Sequence, residues 1–149
     1  MNSVKRSMPE CLLLFLFILP LNLSAQQNFW RVLSEVSFKT ITTPNGYEVE
    51  KPQFSEHLRS FDGKTIKIKG YIIPLNEING KPAIMLSSLP FNVCYFCGGA
   101  GPETVIEVET SENIKFTTKA VTLEGNLELN DNDPDHHIYI LKSAKLTQQ

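Results

Sequence analysis

Two cysteines three positions apart, in Cys94-Tyr95-Phe96-Cys97, are the residues of this chain best suited to chemistry, and Gly98-Gly99-Ala100-Gly101-Pro102 follows them at once. Two thiols at that spacing can hold one soft metal ion, close a small disulfide ring or exchange electrons. Bare glycine backbone can turn N–H groups toward sulfur, which favours a thiolate over a thiol. A tetrahedral ion, Zn²⁺ or Cu⁺, needs one or two further ligands. His136, His137, His57 or a carboxylate are available for that. His136 and His137 stand side by side at the entry to an expected strand, where successive side chains point to opposite faces, so one of the two is expected to join. Taken singly, each histidine reads as a solvent-facing turn or edge residue. Two other readings of the cysteine pair stay open. One is an oxidised Cys94-Cys97 clip in a structural or partner-binding module. The other is a thiol-disulfide oxidoreductase, against which stands a β-only neighbourhood without the strand-to-helix placement that activates a redox thiol.

Other motifs carry less. Asp131-Asn132-Asp133-Pro134-Asp135 resembles the start of a calcium loop, but His136 stands where the invariant glycine belongs and Lys142 where the bidentate glutamate belongs, so the segment reads as a turn. The glycines after Cys97 lack the Gly-Lys-Ser/Thr of a phosphate loop, and no nucleophile elbow is present. Lys64, Lys67, Lys69 and Tyr71 could form a basic face, yet Glu107, Glu109, Glu124 and Glu128 are expected on the same outer surface, so no nucleic-acid partner is expected. No catalytic residue and no organic cofactor are expected, and the chain reads as more suited to binding than to catalysis.

The first 25 residues have the three zones of a cleavable export signal. Lys5 and Arg6 form a positive start, Cys11 to Leu19 an apolar run, and Ser24-Ala25 a small-residue cleavage site. Pro20 and Asn22 break the run short of the roughly 20 apolar residues that span a bilayer. No membrane span is therefore expected in the mature chain, which should be periplasmic or secreted. Without residues 1–25, Lys plus Arg falls from 14 to 12 and Asp plus Glu from 16 to 15, so the formal charge moves from −2 to −3. That mild acidity leaves no footprint for nucleic acid or anionic lipid. Of the three cysteines only Cys94 and Cys97 remain, so no disulfide framework beyond that pair can exist.

The elements that must position the cysteine loop are mainly strands. Residues 26–52 read as a preface: a short helix capped by Asn28, with Phe29, Leu33 and Val36 on one stripe, then a hairpin turning at Asn45-Gly46 and closed by Pro52. Ser55 is an expected N-cap for a turn or two ending at Asp62-Gly63. Residues 53–149 form the main domain. Ile66, Ile68 and Ile72 alternate with Lys67, Lys69 and Tyr71, and Pro82 to Leu86, Thr104 to Glu109, Val121 to Leu129 and His137 to Leu141 give four more strands. Five such strands, with Gly70 and Gly125 where a sheet must coil, predict a mainly β fold, a small five-stranded OB-like barrel, with a small open β-sandwich as the alternative.

Asp62-Gly63-Lys64 through Gly70-Tyr71-Ile72-Ile73-Pro74-Leu75, Cys94 through Glu103, and Gly125-Asn126-Leu127 together resemble a bacterial family of small exported or lipid-anchored proteins known as a domain of unknown function. The resemblance covers most of the mature length. It implies an OB-like barrel with a cysteine-bearing loop, and many family members carry Cys-x-His and prolines where this chain has Cys94 to Cys97 and glycines. Exchange of Cys for His at nearby positions would fit metal ligation better than a disulfide. The function expected is that of an exported, non-enzymatic barrel binding a thiophilic metal through Cys94 and Cys97, in an envelope accessory role beside a protein partner.

Overall fold

A computed structural model of the chain describes residues 28–78, 81–93, 98 and 100–148. The expected signal segment, Cys94 and Cys97 lie outside the described residues. The order of elements is helix α1 (Phe29–Leu33), strands β1 (Val36–Thr42) and β2 (Glu48–Phe54), helix α2 (Glu56–Arg59), and then β3 (Thr65–Ile78), β4 (Lys81–Ser87), β5 (Val105–Val108), β6 (Val121–Leu129) and β7 (Tyr139–Gln148).

Strands β3 to β7 close a barrel in the order β3-β4-β5-β7-β6, with β6 returning to β3. All neighbours are antiparallel except β5 and β7, which run parallel, with Glu107 opposite Ile140 and Val108 opposite Leu141. This Greek-key closure is the OB-like barrel expected from the alternation, not the open sandwich. Ile66, Ile68, Ile72, Leu86, Ile106, Leu123, Leu127 and Leu141 meet inside it, each at most 5% exposed. Ile73, Met85 and Val105 form a second, smaller cluster. Ile73 follows Ile72 in β3, and Val105 precedes Ile106 in β5, so alternation puts this cluster on the opposite face of the same strands.

Closure needs sharp coiling, and two glycines permit it. In β7 the register slips between the Asn126–Lys142 and Glu124–Lys145 pairs, so Ser143 and Ala144 together oppose Gly125. Ser143 takes the left-handed φ of 53° that such a bulge requires. A β-carbon on Gly125 would lie 2.8 Å from the Lys142 carbonyl oxygen, and one on Gly70 would lie 2.5 Å from that of Ser87.

Several boundaries differ from the sequence expectation. Helix α1 stops at Leu33, and Val36 opens β1 instead of continuing the apolar stripe. Pro52 does not close the hairpin; it pairs with Phe38 inside the ladder, which runs on to Phe54. β3 continues past Ile72 to Ile78, and the last strand begins at Tyr139 and reaches Gln148. Ser55 does cap α2, its hydroxyl accepting the Leu58 N–H at 3.0 Å. Phe29, Val32 and Leu33 of α1 and Leu58 of α2 join the barrel core. Tyr139 ties α1 down, its hydroxyl donating to the Leu33 carbonyl at 2.6 Å. Among the described residues, no helix is long and apolar enough to cross a membrane.

Candidate functional site

The titratable cluster of this barrel is assembled by the one parallel pairing. In β5, Ile106 and Val108 face the core, so Glu107 points the other way. Parallel β7 lies beside it and brings the approach to β7, with His136 and His137, up against the Glu107 side chain. That approach is shaped by Asn130. Its side-chain oxygen accepts the Asn132 and Asp133 N–H groups, and its amide donates to the carbonyls of Asp133, His136 and His137. A turn so tied by one side chain is the Asx-type geometry asparagine favours. The segment is a turn, as expected, and Asp131 faces Arg59 at 3.7 Å.

Glu107 is almost fully enclosed, its side chain 7% exposed, and both oxygens are engaged. One lies 2.9 Å from His136 Nδ1, and the other accepts the His137 backbone N–H at 2.9 Å. Burial is tolerable because both oxygens are satisfied. The hydrogen bond to Glu107, reinforced by its charge, raises the His136 pKa above the usual imidazole value. Glu109 lies two residues further along the same face, and one donor atom from each of Glu107, Glu109 and His136 falls within 4.8 Å of the others. Lys142, whose ammonium also feels the charges of Glu109 and Glu107, is paired with Glu128 at 2.6 Å.

His137 behaves differently from its neighbour. Burial lowers its pKa to about 4, so the ring is neutral over the physiological range. Its Nδ1 accepts the Tyr139 N–H at 3.3 Å, which assigns the ring proton to Nε2. That Nε2 is buried with no partner among the described residues. The two histidines thus diverge as strand geometry predicts, with His136 in the carboxylate cluster and His137 turned away from it. His136 stays in the turn with its side chain 30% exposed, close to the turn residue expected, whereas His137 is held neutral by burial. His57 joins neither: it lies 2.9 Å from Glu35, whose pKa is lowered by hydrogen bonds from Ser55 and His57.

Two of the carboxylates were missed as site residues. Glu107 reads in sequence as a surface position beside Glu109, Glu124 and Glu128, but the β7 approach covers it. The signal present was the i, i+2 pair of carboxylates on one strand face; its histidine partner is 29 residues away and meets it only through the parallel pairing.

The donor set fits a metal ion in part. One imidazole and two carboxylates match zinc-type chemistry. Three donors leave a fourth position of a tetrahedral ion to water or to another ligand. Hard carboxylate oxygens suit Cu⁺ poorly. Comparison with protein-family models, curated proteins and solved structures finds no match.

Proposed function

We propose that this chain is an exported, non-enzymatic β-barrel that carries a divalent metal ion of the zinc type in the cell envelope, with His136, Glu107 and Glu109 as protein donors. The observation that supports it is the convergence of one imidazole and two carboxylates within 4.8 Å on the barrel wall. Cys94 and Cys97 remain the thiophilic donors suggested by sequence.

The test is metal stoichiometry on protein produced from the full 149-residue chain and purified without chelator, beside His136→Ala, Glu107→Gln/Glu109→Gln and Cys94→Ser/Cys97→Ser. One zinc ion per chain, lost with His136→Ala and with the double glutamine variant, is the expected result. Zinc retained in both but lost in the serine variant would assign the ion to the thiols alone, and zinc absent from the wild type after equilibration would remove the reading.

A second reading, a module docking an envelope protein, draws on the β1–β2 ribbon. Phe38, Tyr47 and Val49 are exposed there, Tyr47 by 72%. A photocrosslinker placed at Tyr47 in cells, giving one discrete adduct, would favour it.

A further inference from the structure

We propose that the groove between α1 and the outer face of β3 binds a small cyclic carboxylate, with Lys69 as its charge partner and Trp30 as its aromatic wall. The groove has a volume of about 340 Å³, within the range of small-ligand sites. Lys67, Lys69 and Tyr71 line it from alternate positions of β3, Asn28 and Trp30 from the start of α1, and Ser88 from the far side.

Three features define the ligand. The first is charge. Among the described residues the groove has two lysines and no acidic residue, in a chain whose acidic residues outnumber its basic ones by 16 to 14. Lys67 is already paired with Glu124 at 3.1 Å, whereas Lys69 has no carboxylate partner among the described residues. Lys69 is exposed, so its ammonium is free to take one negative charge from a ligand. The second is shape. Trp30 Nε1 donates to the Lys69 carbonyl at 2.7 Å, which fixes the indole and uses its only donor, so what it presents to a ligand is ring surface. A flat or cyclic body stacks on such a surface. The third is rigidity. The β3–β4 approach at Gly70 has no room for a β-carbon, and α1 is held by Tyr139, so the walls are set before a ligand arrives.

A carboxylate on a ring can come from an acidic sugar or from an aromatic acid, and the experiment separates them. Trp30 is the only tryptophan, so indole emission reports on this groove alone. The purified protein is titrated with galacturonate and with benzoate, each beside its uncharged counterpart, galactose and benzyl alcohol, with calorimetry in parallel. Saturable change with at least one carboxylate and none with its neutral counterpart is expected, the responding compound naming the source. Lys69→Gln should weaken that binding about tenfold or more, and rising salt should weaken it as well. Lys67→Gln should have the smaller effect because its charge is shared with Glu124. Equal response to charged and neutral compounds, no saturable response to any of them, or undiminished affinity in a folded Lys69→Gln protein would each overturn the proposal.

Discussion

The Tyr139 hydroxyl donates a 2.6 Å hydrogen bond to the Leu33 carbonyl, joining the first residue of the last barrel strand to the last residue of the N-terminal helix across 106 positions of sequence. Both groups are buried, and Leu33 is at the end of a five-residue helix too short to persist without packing. Burial also holds the phenol far above its ordinary pKa, so it stays a donor at any physiological pH. Tyr139→Phe keeps the ring and its contact with Phe54 while leaving the carbonyl unsatisfied. The expected cost is about 1–3 kcal/mol, read as a lower denaturation midpoint with Trp30 emission changing in the same transition. An unchanged midpoint would mean that the helix is held by apolar packing alone.

Gly125 and Gly70 should resist even alanine. At both, the nearest obstacle to a β-carbon is backbone oxygen, at 2.8 and 2.5 Å, and backbone cannot rotate aside as a side chain can. Gly70→Ala and Gly125→Ala should each cost about 1–3 kcal/mol or more in chemical denaturation. Gly70→Ala should also shift Trp30 emission in the folded state, since Trp30 bonds to the neighbouring Lys69 carbonyl. Wild-type stability in either variant would contradict the close strand approach.

These two glycines show how far the fold could be read without coordinates. Alternation at Ile66 to Ile72 and Val121 to Leu129 is a local property, set by which side chains face the core, and it was legible. So was Ser55, whose cap needs only its own helix. The end of α1 was not. Phe29, Leu33 and Val36 share a helical stripe, but Val36 gains more by pairing with Phe54 at the base of the hairpin. Pro52 looked like a strand terminator because it lacks an N–H, yet a two-stranded ribbon has open edges where that loss costs little. The Glu107–His136 contact was the least accessible of all. It depends on β5 and β7 becoming parallel neighbours, which no local spacing encodes.

Acid should weaken the metal-free fold chiefly through His137. Its native pKa is lowered to about 4 by burial, while the unfolded ring titrates near 6.5. Below 6.5 the unfolded chain takes up a proton that the native ring refuses, so stability falls as pH drops from 6.5 toward 4, by roughly 3 kcal/mol in total. His136 works in the opposite sense. Its raised pKa adds stability that is fully present below 6.5 and is lost as pH rises through the native value. With chelator present, His137→Phe should flatten the acid limb of a stability-versus-pH curve, and His136→Ala should leave that limb in place and remove the decline above 6.5. An acid limb unchanged in His137→Phe would place the sensitivity elsewhere.

Metal and proton should compete for His136. An imidazole must be unprotonated to ligate, and Glu107 stabilises the protonated ring through the 2.9 Å contact, so zinc affinity should climb with pH through a midpoint above the ordinary imidazole value. Calorimetry in buffers of different ionisation enthalpy should register about one proton released per ion on the acid side of that midpoint. Glu107→Gln removes the charge that raises the pKa, and with it the competition. Its zinc affinity should be lower at high pH, where a donor is missing, and its pH midpoint should move down toward that of a free imidazole. A purely structural Glu107 would change the affinity without moving the midpoint. A midpoint identical in wild type and Glu107→Gln would therefore mean that Glu107 does not set the proton competition at His136.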